Sequence, residues 1–161
     1  MTREIDLTQG KKAIVDDEDY EWLSQWKWYY AHTGYAVRNS PRVLGKHYMI
    51  FMHREIMHTP QGMDTDHIDG NGLNNLRINL RVCSHSRNLQ NKGVSINNVS
   101  GFKGVSWCQA NKKWRARIKA SGKEKYIGYF DVAESAALAY DKAARELHGE
   151  FAKLNFPESV R

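Results

Sequence analysis

Residues 64–91 read DTDHIDGNGLNNLRINLRVCSHSRNLQN, and the order of their polar side chains organises the rest of the chain. Asp66 and His67 are adjacent, Asn79 follows His67 by 12 residues, and Asn88 follows Asn79 by 9. Glycines and asparagines between them favour tight turns, because these residues tolerate a positive φ. The stretch therefore predicts an acid–base pair in a turn-rich loop, with two amides farther along the chain.

These residue types suit hydrolysis of a phosphodiester bond assisted by one metal ion. The reaction needs an activated water, neutralisation of the phosphate charge and a stabilised leaving oxygen, and a hard divalent cation serves the last two. Such a cation prefers oxygen ligands, which the carboxylate of Asp66 and the amide of Asn88 supply. His67 titrates near neutral pH and suits a general base, and Asn79 is the candidate that fixes its tautomer.

The sequence predicts small elements around this stretch. Residues 58–80 are rich in turn formers and predict a loop, whereas residues 81–91 predict a helix. Upstream, paired short strands are expected at residues 35–38 and 47–52, followed by a short helix that starts at His53. His53 then lies just before the Asp-His loop, where it either faces the substrate or is structural.

Aromatic residues crowd the segment 20–30 of the N-terminal part. We interpret them as a small hydrophobic core, because large apolar side chains dominate core burial. The alternative is a surface on which nucleic-acid bases stack.

Positive charge is concentrated in one part of the chain. The 161 residues carry a net charge of +6, and they suffice for one ordinary domain or two small ones. Residues 101–126 alone carry 8 Lys and Arg against a single Glu, whereas residues 61–92 carry 4 against 3 acidic residues. The basic patch indicates a polyanionic partner.

Cysteine content and hydropathy exclude several classes. Cys83 and Cys108 are too few for a zinc ribbon or a disulfide framework, and they suit a reducing compartment. We expect neither secretion nor membrane spanning, because the sequence shows neither an apolar leader nor a long apolar run.

The C-terminal part predicts three strands followed by one helix. Strands are expected at residues 104–107, 113–119 and 125–130, and strand KWRARIK alternates apolar and basic residues. A helix follows, with Asp131 as the predicted N-cap and an apolar stripe that packs on one sheet face. The other face is left with four cations: Lys113, Arg115, Arg117 and Lys119. We interpret it as a surface that binds nucleic acid. The alternative is an ordinary solvated face.

Residues 93–100 are polar and lack apolar periodicity, which predicts a linker between two modules. The expected domains are residues 1–92, with a motif core at 53–92, and residues 101–157.

Three segments, DHIDGN, NNLRINLR and SHSRNLQN, together resemble the HNH endonuclease family over residues 53–92. The resemblance implies an α+β protein whose N-terminal ββα-metal (HNH) nuclease module is a two-stranded hairpin and a helix around one metal ion, Mg²⁺ or Mn²⁺. It implies that Asp66 and Asn88 bind the metal, that His67 is the general base, and that Asn79 holds His67.

The same resemblance assigns supporting roles to several further residues. Asn91 would support the helix or touch phosphate, and His85 and His53 would stand beside the site. Arg77, Arg81 and Arg87 are expected phosphate contacts.

The C-terminal segments FKGVSW, KKWRARI, KYIGYFD, AESAALAYDKAARELHG and LNFP resemble the plant ethylene-response-factor (Apetala-type) DNA-binding domain over residues 101–157. This implies a C-terminal three-stranded antiparallel sheet packed on one helix, with the sheet in the major groove of DNA. The DNA-facing residues would be Lys103, Lys113, Arg117, Lys119 and Tyr126, to which strand alternation adds Arg115. Ser106 and Cys108 replace arginines usual in that family, so its base specificity does not transfer.

Together the two resemblances predict a site-specific homing endonuclease that acts on double-stranded DNA as a monomer or homodimer. Such enzymes are encoded by phages or mobile elements and act in the cytoplasm of a bacterial host. Two alternatives remain open. One is a non-catalytic DNA-binding regulator, and the other is an RNA-binding module with stacking aromatics on its open sheet face.

Overall fold

The computed structural model describes residues 1–42 and 44–157. Within these residues, small antiparallel sheets and four α-helices alternate along the chain, which agrees with the predicted α+β class. The chain divides into two compact units, Met1–His85 and Ser86–Arg161. This division falls before residues 93–100, the predicted linker.

The first unit begins with a hairpin and a helix. Strand β1 (Thr2–Asp6) pairs antiparallel with β2 (Lys12–Asp16), and α1 (Asp17–Leu23) follows directly. Three acidic residues occupy the first turn of α1, where negative charge interacts favourably with the exposed backbone N–H groups. Ala13 and Val15 of β2 are fully buried, so this hairpin supplies one wall of the core.

A three-stranded sheet and a second helix complete the core of this unit. Strand β4 (Ala36–Asn39) lies between β3 (Tyr29–Tyr30) and β5 (Met49–Phe51), and α2 (Met52–Ile56) continues from β5. The pairing of β4 with β5 confirms the predicted strand pair. The main cluster of buried core side chains consists of Ile5, Leu7, Ala13, Val15, Leu23, Trp28, Ala36, Met52, Ile56 and Leu80.

The aromatic segment belongs mainly to this core. Trp28 is buried, and Tyr20, Trp22 and Tyr30 pack against the cluster. Trp26 is exposed and lies under the guanidinium of Arg38, 4.3 Å from the ring centroid. The prediction of a small hydrophobic core is confirmed for most of the segment.

A second hairpin carries the Asp-His pair. Strand β6 (Asp64–His67) pairs antiparallel with β7 (Leu80–Cys83), and Asp66 lies opposite Arg81. Two predictions are wrong here, because β6 lies in the predicted loop and β7 lies in the predicted helix. Helix α3 (His85–Asn91) starts only after the hairpin. Strand pairing overrides the turn-rich composition, since β6 and β7 complete each other's backbone hydrogen bonds.

The sheet of the second unit has the predicted three antiparallel strands. Strand β9 (Lys113–Ala120) lies between β8 (Val105–Cys108) and β10 (Lys123–Phe130). Ala116 and Ile118 are buried, so the predicted alternation along β9 is confirmed.

Helix α4 (Ala133–His148) covers the apolar face of this sheet. Its N-cap is Val132 rather than Asp131, and its C-cap is Gly149 with a φ of 56°. Ala136, Ala137, Tyr140 and Ala144 are buried, and the small alanines let the helix approach the sheet closely.

Residues 98–100 belong to the fold of the second unit rather than to a free linker. Asn98 donates a side-chain hydrogen bond to the carbonyl of Phe102 at 2.9 Å, and Ser100 donates to the carbonyl of Val105 at 2.9 Å.

None of the helices in the described part of the chain has the length and apolarity needed to cross a bilayer.

A substitution at Gly104 tests how closely Tyr140 of α4 approaches the backbone of this residue. It has a φ of +76°, and a Cβ placed there would lie 2.1 Å from the Tyr140 ring and 2.6 Å from the Arg117 carbonyl oxygen. We expect Gly104→Ala to destabilise the second unit by about 2–4 kcal/mol, since strain adds to overpacking. Hydrogen exchange of the Ala116 and Ile118 amides reports this free energy of unfolding.

Gly122 provides the matched control, because it has the same φ of +76° but nothing within 4 Å of an added Cβ. Gly122→Ala should therefore cost about 1 kcal/mol, from backbone strain alone. Equal losses for the two variants would contradict the close approach of Tyr140 to Gly104.

Candidate active site

Asp66 and His67 lie at the end of β6, and both are buried, with 5% of each residue exposed. Successive side chains of a strand point to opposite faces, so the two groups contact different surroundings. The carboxylate of Asp66 lies on the side of Arg81, its partner across the hairpin. The ring of His67 lies among aromatic side chains on the other side.

Three side chains fix the ring of His67. Tyr35 stacks on it with 5.6 Å between ring centroids, and His53 packs edge-on at 4.9 Å. Nε2 of His67 lies 3.4 Å from Oδ1 of Asn75, which is fully buried. With the amide so oriented, the neutral ring carries its proton on Nε2, which leaves Nδ1 as the basic nitrogen.

Burial sets the protonation state of both histidines. Desolvation lowers the pKa of His67, although Asn75, Asp69 and Asp66 each act to raise it. Desolvation, together with the neighbouring His67 and Arg54, lowers the pKa of His53 to about 3. Both rings are therefore neutral at pH 7, and a neutral His67 is the form that accepts a proton.

The predicted contact between Asn79 and His67 is wrong, because the amide that faces the ring belongs to Asn75. Asn79 holds the loop instead. Its Oδ1 accepts from the Asp69 N–H at 3.0 Å, and its Nδ2 donates to Asp69 Oδ1 at 3.0 Å and to the Asn74 carbonyl at 2.8 Å. Asn79 therefore closes the loop between β6 and β7.

Asp69 is the centre of this loop. Its carboxylate accepts hydrogen bonds from Asn71 N–H at 2.7 Å, Asn74 Nδ2 at 2.8 Å and Asn79 Nδ2 at 3.0 Å. Burial acts to raise the pKa of Asp69, but these hydrogen bonds outweigh it and the pKa is lowered. The loop is thus organised around a carboxylate that stays ionised at neutral pH.

Asp66 is paired with Arg81. Oδ2 of Asp66 accepts from Nε of Arg81 at 2.9 Å and from a terminal nitrogen at 2.7 Å. Arg81, an expected phosphate contact, is largely buried in this pair.

His85 and Asp64 form a second pair at the start of the hairpin. Nδ1 of His85 lies 2.9 Å from Oδ2 of Asp64, and the His85 side chain is 73% exposed. The expected place of His85 beside the metal site stays a prediction.

The remaining residues of the HNH resemblance belong to the second unit. Asn88 is half-buried and Asn91 is buried, and both lie in α3. Arg87 lies over the ring of Phe151, with 5.3 Å from its guanidinium carbon to the centroid. The metal-binding role of Asn88 and the phosphate contact of Arg87 stay predictions.

Arg77 has a structural environment rather than that of a free phosphate contact. Its guanidinium donates to both carboxylate oxygens of Asp19 at 2.7 and 2.8 Å, and it lies 2.9 Å from Glu18. Its backbone N–H also donates to Asp16 at 2.8 Å. These acidic partners surround the cation, so we correct its expected role to an anchor of the loop on α1.

Lys103 also differs from its predicted role on the DNA-facing surface. Its ammonium donates to the backbone carbonyl of Gln90 and, at 2.6 Å, to that of Lys92. Desolvation and the nearby Lys153 lower its pKa to about 8. The side chain therefore bonds to the protein's own backbone.

The open face of the second sheet carries the other predicted DNA contacts. Lys113 pairs with Asp131 at 3.1 Å and Arg117 with Glu124 at 2.8 Å, while Lys119 is exposed. Arg115 lies opposite Ser106 and Tyr129, and Arg117 lies opposite Tyr126. Tyr126 and Tyr129 are exposed and 5.3 Å apart, so the face combines cations with aromatic rings.

Sequence reasoning missed Tyr35 and Asn75. The sequence predicts Asn75 only as a turn former, although its place in the loop after His67 is a usable signal. No signal in the sequence identifies Tyr35, because it contacts His67 only through the tertiary fold. Gly72 brings the loop onto Tyr35, since an added Cβ would lie 2.6 Å from that ring.

No family model matches the chain. An uncharacterised HNH endonuclease of Acanthamoeba polyphaga mimivirus is 33% identical over 147 residues, which are 91% of this chain and 76% of that protein. Protein 3.8 of Escherichia phage T7 is 40% identical over 94 residues, 58% of this chain and 77% of that protein. Dehydration-responsive element-binding protein 2D of Arabidopsis thaliana is 38% identical over 95 residues, 56% of this chain and 44% of the plant protein.

The neutral state of His53 has a measurable consequence. Its pKa in the fold is about 3, below the ordinary value of 6.5, so between these pH values the unfolded chain binds a proton that the folded chain does not. Stability is therefore lost as pH falls below about 6.5, by about 2 kcal/mol at pH 5 from this ring.

His53→Phe removes this titration and keeps an aromatic ring. Urea denaturation at pH 7.5 and pH 5 should show a loss on acidification about 2 kcal/mol smaller in the variant than in the wild type. An identical loss in both proteins would show that His53 is not buried in its neutral form.

Proposed function

The chain belongs to the HNH endonuclease family, and we propose that it is a DNA endonuclease that hydrolyses phosphodiester bonds with one divalent metal ion. The observation that carries the proposal is the buried His67, whose ring is fixed between Tyr35, His53 and Asn75. A ring held in one orientation and kept neutral suits a general base.

The metal would be held by Asp66 and Asn88. Carboxylate and amide oxygens are the ligands that Mg²⁺ and Mn²⁺ prefer, so the residue types fit the ion. When bound, the ion would neutralise phosphate charge and stabilise the leaving oxygen. His67 would take the proton of the attacking water, while Asn75 and Tyr35 keep its ring in place.

The second unit would bind the DNA. The relatives that support this include a plant protein named as a dehydration-responsive element-binding protein. The cations Arg115, Arg117 and Lys119 on the open face suit phosphate and guanine contacts in a major groove. The phage and virus relatives support the finer proposal of a homing endonuclease encoded by a phage or mobile element.

Two observations each favour an alternative function. The ion pair of Asp66 with Arg81 favours a DNA-binding regulator without catalysis, because the proposed ligand is already neutralised. The exposed Tyr126 and Tyr129 favour stacking of unpaired bases, as in binding of RNA or single-stranded DNA.

His67→Ala tests the catalytic proposal. Nicking or linearisation of supercoiled plasmid with Mg²⁺ or Mn²⁺ should fall by about 10²- to 10⁴-fold, the usual contribution of a general base. Duplex binding measured in EDTA should stay within about threefold, since His67 is buried in the first unit and the basic face belongs to the second.

His32→Ala is the matched control, because His32 is an exposed histidine of the same unit. It should cleave as the wild type does, and EDTA should stop cleavage by both. Loss of DNA binding together with cleavage in His67→Ala would contradict the assigned role. A wild-type protein that binds duplex DNA but never cuts it would instead support the regulator.

The open face is tested by Lys119→Ala and by Lys142→Ala, a control on the exposed side of α4. Lys119→Ala should weaken duplex binding and reduce the slope of log affinity against log salt by about 1, as expected for one lost phosphate contact. Lys142→Ala should change neither quantity. Competition with single-stranded DNA and RNA, repeated with Tyr126→Ala, decides between major-groove binding and base stacking.

A further inference from the structure

Lys103 caps the end of helix α3. The last carbonyl groups of an α-helix lack partners within the helix, and a cation close to them is favourable. The ammonium of Lys103 bonds to the carbonyls of Gln90 and Lys92, at the carboxyl end of α3. The contact therefore supplies partners that the short helix lacks.

The backbone of Lys103 is itself held rigidly. Its N–H donates to Oδ1 of Asn155 at 2.6 Å, and its carbonyl accepts from Nδ2 of Asn155 at 3.2 Å. Asp141 of α4, which is 1% exposed, accepts from the backbone N–H and the side chain of Asn155 at 2.8 and 3.0 Å. A chain of hydrogen bonds thus connects the buried carboxylate of Asp141 to the end of α3.

We infer that Lys103 is a positioning residue for DNA cleavage, which acts by holding the end of α3 and with it Asn88. This rests on the proposed function, in which Asn88 is a metal ligand. Asn88 lies two residues before Gln90, within the last turn of the helix. Without Lys103 this turn frays, and the helical backbone that carries Asn88 is no longer held in place.

The contacts distinguish this role from a phosphate contact. An ammonium has three donors, of which two are used by backbone carbonyls, and the side chain is half-buried. Lys119, on the open face of the sheet in the second unit, is exposed. The same substitution is therefore expected to affect cleavage at Lys103 and DNA binding at Lys119.

The experiment compares Lys103→Met with Lys119→Met in the full chain, with duplex DNA and Mg²⁺. Lys103→Met should lower the cleavage rate at saturating DNA at least tenfold, while the Kd measured in EDTA stays within threefold and its salt slope is unchanged. Lys119→Met should instead weaken binding and reduce the salt slope by about 1, whereas Lys142→Met, on the exposed side of α4, should leave the rate, the Kd and the salt slope at wild-type values. Lys103→Arg, which keeps a cation with donors, should recover part of the rate.

A second measurement does not depend on cleavage. Hydrogen exchange of the amides in residues 86–92 should accelerate at least tenfold in Lys103→Met, whereas the β9 amides keep their protection. Methionine reproduces the lysine side chain as far as Cε and removes a partly desolvated charge, so the unit is expected to fold. Loss of β9 protection as well would overturn the inference, because Lys103 would then support the whole unit.

Failure of this inference differs from failure of the proposed function. A wild-type protein that cuts no DNA contradicts the proposed function, and a positioning role for cleavage falls with it. If the wild-type protein cuts DNA and Lys103→Met matches it in cleavage rate and in hydrogen exchange of α3, only the positioning role of Lys103 is refuted. A raised Kd with a lower salt slope in Lys103→Met would instead show that Lys103 contacts a DNA phosphate.

Discussion

The hydrogen bonds that join Asn79 to Asp69 and Asn74 are the constraint on which the candidate active site depends. Strands β6 and β7 are short, and an isolated two-stranded hairpin is at best marginally stable in water. Asn79 closes the loop between them, and the backbone of Ile14 and Asn75 ties that loop to β2 at 2.8 Å. The end of β6, where His67 lies, is thereby held in one conformation.

The surroundings of His67 balance two opposing effects. Burial disfavours the charged ring, while Asn75 and two carboxylates favour it, and burial prevails. The neighbouring rings of Tyr35 and His53 have two effects on His67. They exclude water from its ring, and they restrict the ring to one orientation. Asn75 therefore has the orienting place that the sequence pattern assigned to Asn79.

The second unit places two lysines of the basic segment in different environments. Lys103 and Lys119 both belong to the basic segment 101–126. Lys103 bonds to backbone carbonyls, because Asn155 and Asp141 hold its backbone near the end of α3. Lys119 stays exposed on the open face. Net charge therefore described the patch, but it did not identify which cations face a partner.

Local pattern was sufficient for part of this protein. Alternation along β9 determined the buried and open faces of the second sheet, and the spacing of Asp66, His67 and Asn88 determined the family resemblance. Only the tertiary structure decided that Asp66 and His67 lie in a strand, that Asn75 faces His67, and that Asn155 holds Lys103. Periodicity and spacing are properties of neighbouring residues, whereas burial and hydrogen-bond partners depend on which distant segments the packed core brings together.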